Sequence, residues 1–269
     1  MVNHVDDIEQ SVVQRKVEIL CKLQQSIYCE AFTTDDIVEA NHIAEELLRL
    51  TKHTYDAVAE TYARRRQSTP HEIDIAILDK LLRLARTRFA PSEFRPLRIL
   101  DTGTAYGRDI KYISGLPHIR IVGIDISDAF IRILARREKD RDIPRGSFLK
   151  CDMRDLSIFH DESFEVVRHN ASLVHLPIIA EGYMVDLALQ ESFRVLRKGG
   201  LMHVSVKEGT GLQYVDTNEG LGRIPFQFHS MDSVSSLLER NGFAILSRLR
   251  RPSSRGPRIK WLSVISEKP

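Results

Sequence analysis

The sequence predicts an α/β protein: a doubly wound parallel sheet preceded by a helical extension. Three observations carry that expectation. Short, β-branched, nearly continuous apolar runs recur from residue 98 onward, as strands covered on both faces do. Helical patterns alternate with these runs. The stretch RILDTGTAYGRDI, residues 98–110, ends an apolar run on Asp101 and sets Gly103 and Gly107 four apart before a helix.

The elements follow in order. From Asp6 to Tyr28, Ile8, Val12, Ile19, Leu23 and Ile27 recur at helical spacing, joined by Val13, Val17 and Leu20. Thr33 or Thr34 caps a second helix, with Asp35 and Asp36 placed well for its dipole and Ile37, Ile43, Leu47 and Leu50 facing inward. A third segment, HTYDAVAETYARRRQ, lines up Tyr55, Ala59 and Tyr62. Pro70 and His71 break the pattern before a helix at roughly 72–88, and Pro91 and Pro96 close the helical region. Strands are then expected at 98–101, 119–127, 146–152, 164–172 and 201–209, and helices at 107–114, 128–139 and 178–197. The last of these ends in Arg197-Lys198-Gly199-Gly200, a basic turn and a glycine stop. A polar, glycine-rich insert at 209–229, a helix at 231–240 and an antiparallel hairpin of 243–250 with 258–266 complete the chain. Alternating strands and helices imply right-handed parallel crossovers. Two regions result: residues 1–69, a helical extension or lid, and residues 70–269, a ligand-binding domain.

With 269 residues, 42% of them hydrophobic, the chain can bury about three quarters of its unfolded surface in one core. A net charge of +2 gives no reason to expect a polyanionic partner over the whole surface. The charge is uneven, however: residues 30–46 carry acids and no Lys or Arg, whereas 244–260 carry Arg248, Arg250, Arg251, Arg255, Arg258 and Lys260 and no acid. Cys21, Cys29 and Cys151 form no CxxC pair and read as buried thiols of a reducing compartment. No signal-like segment opens the chain and no run reaches membrane-spanning length, so the expectation is a soluble cytoplasmic protein without a membrane partner.

In such a sheet, ligands sit at the carboxyl ends of the strands where the strand order reverses. Gly103 and Gly107 allow a sharp bend and a close ligand, and the following helix offers unpaired N–H groups. An acid ahead of both glycines would repel a pyrophosphate. A phosphate-free cation would be welcome there, and S-adenosylmethionine, with its sulfonium and ammonium, is such a ligand. Asp125, in GIDIS, stands where a carboxylate accepts from ribose hydroxyls, and Asp152, in KCDM, where an adenine amino group needs an acceptor, with a helix cap as the alternative for Asp152.

DTGTAYG, GIDIS, KCDMRDL, VVRHNASLVHLP and RVLRKGGLMHVSVKEG, in that order, resemble the motifs of class I S-adenosylmethionine-dependent methyltransferases. The resemblance implies strand order 3-2-1-4-5-7-6, S-adenosylmethionine as cofactor, S-adenosylhomocysteine as product and no metal. It implies cofactor contacts at Asp101, Gly103, Asp125, Asp152 and Asn170, and at Thr104, Gly107, Ile126 and Met153 of the same motifs. Ala105 departs from the pattern, standing where the family usually has glycine. TYDAVAETYA resembles a segment that folds over the cofactor, so Tyr55 and Tyr62 are candidate contacts, with a core-packed tyrosine stripe as the alternative. His175 is the candidate general base; a hydrogen-bonded structural histidine is the alternative. Cys151 lacks the Pro-Cys pair of cysteine-dependent methyltransferases.

Asn170-Ala171-Ser172-Leu173 is not the Asn/Asp-Pro-Pro-Tyr/Phe element that holds an amide or exocyclic amine. The remaining motifs look more like small-molecule methyltransferases, including those of bacterial secondary metabolism, with Arg223, Phe226 and Phe228 as candidate acceptor contacts and core or loop packing as the alternative for each. Two rival readings stand beside this. The basic RLRRPSSRGPRIK stretch could track an RNA backbone, or the chain could be a methyltransferase-like binding subunit without turnover. The first helix either covers the substrate mouth of a monomer or pairs with its copy in a homodimer.

Overall fold

A computed structural model of the chain describes residues 2–27, 33–66, 70–178, 183–216, 222–253 and 256–269. Its strands are β1 (Leu97–Thr102), β2 (Ile119–Asp125), β3 (Phe148–Lys150), β4 (Phe164–Asn170), β5 (Leu196–Lys207), β6 (Gly211–Asp216), β7 (Arg223–Phe228), β8 (Ala244–Ser253) and β9 (Gly256–Glu267). Its helices are α1 (Val2–Ile27), α2 (Thr34–Arg65), α3 (Glu72–Phe89), α4 (Arg108–Ser114), α5 (Asp128–Lys139), α6 (Tyr183–Val195) and α7 (Met231–Arg240). Seven strands form one sheet in the order β3-β2-β1-β4-β5-β9-β8, parallel except for β9, which runs antiparallel to both neighbours. With the separate β6–β7 hairpin left out of the count, this is the expected order 3-2-1-4-5-7-6. The hairpin itself lies within the predicted polar insert, where no strands were expected.

Local chemistry explains most boundaries. Thr33 is the cap of α2: its hydroxyl accepts the Asp36 N–H at 3.2 Å and the Asp36 carboxylate accepts the Thr33 N–H at 2.9 Å. The second and third predicted helices are one, because no Gly or Pro interrupts residues 34–65. Ser127 caps α5 and Ser230 caps α7 through their hydroxyls. The expected glycine stop after α6 lies instead inside β5, which starts at Leu196. The Gly199 N–H donates to the Lys268 carbonyl at 2.8 Å and the Lys268 N–H to the Gly200 carbonyl at 3.0 Å, so pairing with the chain end overrides the stop signal.

Helices cover both faces of the sheet. On one, Val13, Val17 and Leu20 of α1 and Ala44 and Leu47 of α2 share a core with Val204 and Val206 of β5 and with Leu212 and Ile224 of the hairpin. On the other, Leu81 and Leu82 of α3 pack with Ile99, Ile110 and Leu134. The inward stripe of α1 is thus spent inside this chain, and the Cys21 thiol donates to the Leu212 carbonyl at 3.2 Å. Cys21 and Cys151 are partly rather than fully buried, and Cys29 lies outside the described residues. Among the described residues no helix is long and apolar enough to cross a membrane.

Candidate functional site

Beside β1 the sheet order reverses, with β2 on one side and β4 on the other. A cavity opens at the carboxyl ends of these strands, about 870 Å³ of empty space counted out to its mouth. The chain enters it by a bend in which Gly103 and Gly107 take φ of 67° and 78°, the left-handed region that glycine adopts without strain. The two glycines also serve packing. A Cβ on Gly103 would lie 2.7 Å from the Ser172 Cβ, and one on Gly107 2.5 Å from Leu134. Ala105 sits between them at φ 52°, where an L side chain is strained.

Asp125 lies at the end of β2, 8% exposed and on the cavity wall. Its Oδ2 accepts the Ala105 N–H at 2.8 Å and its Oδ1 the Ser127 N–H at 2.9 Å. Burial pushes its carboxyl up to about 6, against the pull of these N–H donors. A carboxylate offers roughly four acceptor sites, so those not met by the backbone remain for hydroxyls on the cavity side. Gly103, Ile126, Asp152, Met153, Asn170, Tyr55, Tyr62 and His175 also line the cavity. Asp152 is engaged, however: Arg154 grips its carboxylate, with Nη2 2.8 Å from Oδ2, and also pairs with Glu45 of α2.

Three expected contacts are elsewhere. Thr104 and Gly107 are absent from the wall: the Thr104 N–H donates to the Ile124 carbonyl at 3.0 Å, and Gly107 caps α4. Asp101 lies beneath the glycine bend, 3% exposed, where Arg168 of β4 donates to it at 3.1 Å. The same guanidinium donates to Asp109 at 3.1 Å, and Asn170 and Arg108 also hold Asp109. Burial raises the Asp101 carboxyl to about 6, whereas Arg168 and Arg108 hold Asp109 well below the usual range. The acid that the sequence assigns to a cationic ligand is thus committed to an internal cation. An arginine inside an apolar strand, FEVVRHN, was the available signal for this network.

The opposite wall is aromatic. Tyr55 and Tyr62 of α2 meet edge to face with centroids 5.8 Å apart, and both pack on Phe130 of α5. The Tyr55 hydroxyl is 3.3 Å from Nε2 of His175, which lies in a 3₁₀ turn after β4. His175 Nδ1 is buried without a well-formed hydrogen bond, and the Pro225 carbonyl touches it only weakly. Burial, with Lys207 nearby, lowers the imidazole to about 4. Lys52, the cation on this wall, is paired with Asp56 at 2.6 Å and Asp128 at 2.7 Å. Asp56 in turn accepts the Ser127 hydroxyl at 2.6 Å and the Ala129 N–H at 2.9 Å, fastening α2 to the start of α5. The Cys151 thiol is pushed up to about 11 by burial and donates to the Asp155 carbonyl, an inert arrangement.

The three acceptor candidates separate. Arg223 points to the Tyr214 carbonyl at 2.8 Å and to Gln14 of α1, away from the cavity. Phe226 packs against His175 at an interplanar angle of 52° with centroids 5.0 Å apart, and Phe228 lies 6.3 Å from Phe226. An acid-lined cavity whose lysine is already neutralised, with rings on one side, fits a phosphate-free cationic nucleoside by its donor set.

Residues 99–200 match the family model described as a methyltransferase domain. The chain is also similar to solved structures. A putative sarcosine dimethylglycine methyltransferase from Galdieria sulphuraria is 15% identical, with TM-score 0.58, over 80% of this chain and 98% of that one. The 1,6-didemethyltoxoflavin-N1-methyltransferase of Burkholderia thailandensis, solved with 1,6-didemethyltoxoflavin and S-adenosylhomocysteine, is 20% identical, with TM-score 0.52, over 82% and 88%. The cyclase SpnF is 18% identical, with TM-score 0.57, over 81% and 95%. No curated protein matches the chain in sequence. At these identities the structural likeness speaks for the fold, since one fold hosts many reactions. The chain thus carries a methyltransferase domain at residues 99–200, within a fold that it shares with these structures.

Proposed function

We propose that this methyltransferase passes the methyl group of S-adenosylmethionine to a small-molecule acceptor by direct in-line displacement at the carboxyl edge of β1, β2 and β4. The observation that carries this reading is Asp125: a buried carboxylate, fixed by two backbone N–H groups, with acceptor capacity facing a cavity whose cation among the described lining residues, Lys52, is already paired. Bound there, the cofactor supplies a methyl carbon made electrophilic by its sulfonium, so the protein has chiefly to align reactants and exclude water. Asp125 holds the ribose, Ile126 and Met153 flank the nucleoside, and Gly103 and Asn170 border the amino-acid end. Tyr55 and Tyr62 close over it from α2, which makes residues 1–69 a lid on the domain formed by residues 70–269. His175, neutral at physiological pH and oriented by Tyr55, is in the form a general base needs.

A small-molecule acceptor is favoured over RNA by the state of the basic stretch. Arg248 is engaged by Ser235 and Glu239, Arg250 by Glu208 and Arg251 by Asp74, so three of its cations are answered within the chain. Two of the similar structures are also named as methyltransferases of small molecules. A product screen with isotopically labelled cofactor, on small-molecule and RNA fractions, tests the reading. Label in a small-molecule product supports it. Label in RNA favours the nucleic-acid reading, and binding of S-adenosylhomocysteine with no labelled product favours a non-catalytic subunit.

A further inference from the structure

One ring beyond the cavity wall, the structure holds a cation that the reading above does not use. Lys207 ends β5, and its Nζ lies 3.8 Å over the Phe226 ring and 5.9 Å from the Trp261 ring. Phe226 is the ring that packs against His175. Among the described residues the Lys207 ammonium makes no hydrogen bond and no ion pair, and the adjacent Glu208 is taken by Arg250 at 2.8 Å. Arg66, set 4.5 Å over the Tyr62 ring at the end of α2, adds positive potential and does not relieve it.

We propose that Lys207 anchors an acceptor subsite for a small anionic group, a carboxylate or phosphate, carried on an apolar or aromatic body. The inference rests on the cofactor reading and names the acceptor class for the same site. Charge balance favours such a group. A partly buried ammonium normally finds a carboxylate, and ring faces offset only part of the hydration it gives up. An incoming anion supplies the missing partner, and the Phe226 and Trp261 rings supply the apolar seat beside it. A lysine suits this task because its ammonium is a compact point charge that meets either oxyanion. The subsite adjoins His175, so an acceptor held by its anionic end can present its nucleophile to the cavity.

Calorimetry with benzoate and phenyl phosphate, and with benzamide as the neutral isostere, tests the proposal on protein with and without S-adenosylhomocysteine. At least one anion should bind tenfold or more tighter than benzamide. Lys207→Gln should abolish that preference and Lys207→Arg retain it, both with unchanged affinity for S-adenosylhomocysteine. Equal binding of benzamide and both anions by the wild-type protein would overturn the proposal, as would a preference that survives Lys207→Gln. The comparison on wild-type protein needs no variant to fold. The arm without S-adenosylhomocysteine decides the subsite even where the cofactor reading fails.

Discussion

The floor of the cavity, at the carboxyl ends of β1 to β4, is held by charge: Asp125 on backbone N–H groups, Asp152 on Arg154, and Asp101 and Asp109 on Arg168. The wall opposite is held by rings, with Tyr55, Tyr62 and Phe130 in mutual contact and His175 between Tyr55 and Phe226. Directional bonds fix atoms to fractions of an ångström and fail when one partner is lost. Ring contacts are adaptable, and one substitution leaves several others in place. The floor is thereby suited to hold an invariant cofactor, and the wall to meet an acceptor.

Arg168→Met should break the floor most severely. It leaves two carboxylates buried without their shared cation, so a loss of about 3–5 kcal/mol is expected in urea unfolding. A loss under about 1 kcal/mol would mean that the network carries little of the bend.

Acid should separate the two regions next. His169, His175, His203 and His229 are lowered from 6.5 to about 3, 4, 3 and 4, chiefly by burial. Between those values and 6.5 each binds a proton in the unfolded chain but not in the folded one, so stability falls as the pH drops through that window. Asp101 and Asp125, raised from 3.8 to about 6, bind protons preferentially in the folded chain and oppose two of the four below pH 6. These six groups together give about two protons, or roughly 3 kcal/mol lost per pH unit from 6 toward 4, and the lowered carboxylates of Asp56, Asp109 and Glu165 add to the loss in the same direction. Denaturation midpoints measured from pH 7 to 4 check the slope; a flat profile would contradict the buried, neutral histidines.

His175→Ala probes the wall. A base near 4 sits at the weak end of the general-base range, so kcat should fall about 100-fold with little change in affinity for S-adenosylhomocysteine. The kcat of the wild-type enzyme should stay level from pH 8 to about 5. Loss of cofactor binding in this variant would move His175 from the wall to the floor. The smallest effect is expected at Ala105→Gly, which removes left-handed strain at φ 52° and should gain about 0.5–1 kcal/mol, read as a rise in Tm.

What was legible in the sequence follows the same division. Strand-end positions such as Asp125 and Asp152 are fixed by the regular advance of a parallel sheet, so spacing alone put them at one edge. The fate of the Asp101 side chain depends on Arg168, 67 positions away, and no local pattern says that this guanidinium turns inward. The continuity of α2 was hidden by a change in apolar phase near His53, although nothing there breaks a helix. The β6–β7 hairpin reads as a polar insert because Gly209, Gly211, Asp216, Asn218, Glu219 and Gly220 surround its short apolar stretches, yet Leu212, Ile224 and Phe226 become buried against α1 and β5 once the sheet is assembled. Lys207 gave no signal, since a lysine ending a strand is ordinary until its neighbours prove to be rings.

The account stands most directly on calorimetry of S-adenosylhomocysteine with the wild-type protein and Asp125→Ala, with ATP and NAD as controls. The wild-type protein should bind S-adenosylhomocysteine and neither control. The variant should bind about 100-fold more weakly, roughly 3 kcal/mol for the charge-assisted bonds to the ribose. A wild-type protein that takes up ATP or NAD but not S-adenosylhomocysteine, or a variant that binds it as tightly as the wild-type protein, would contradict the account.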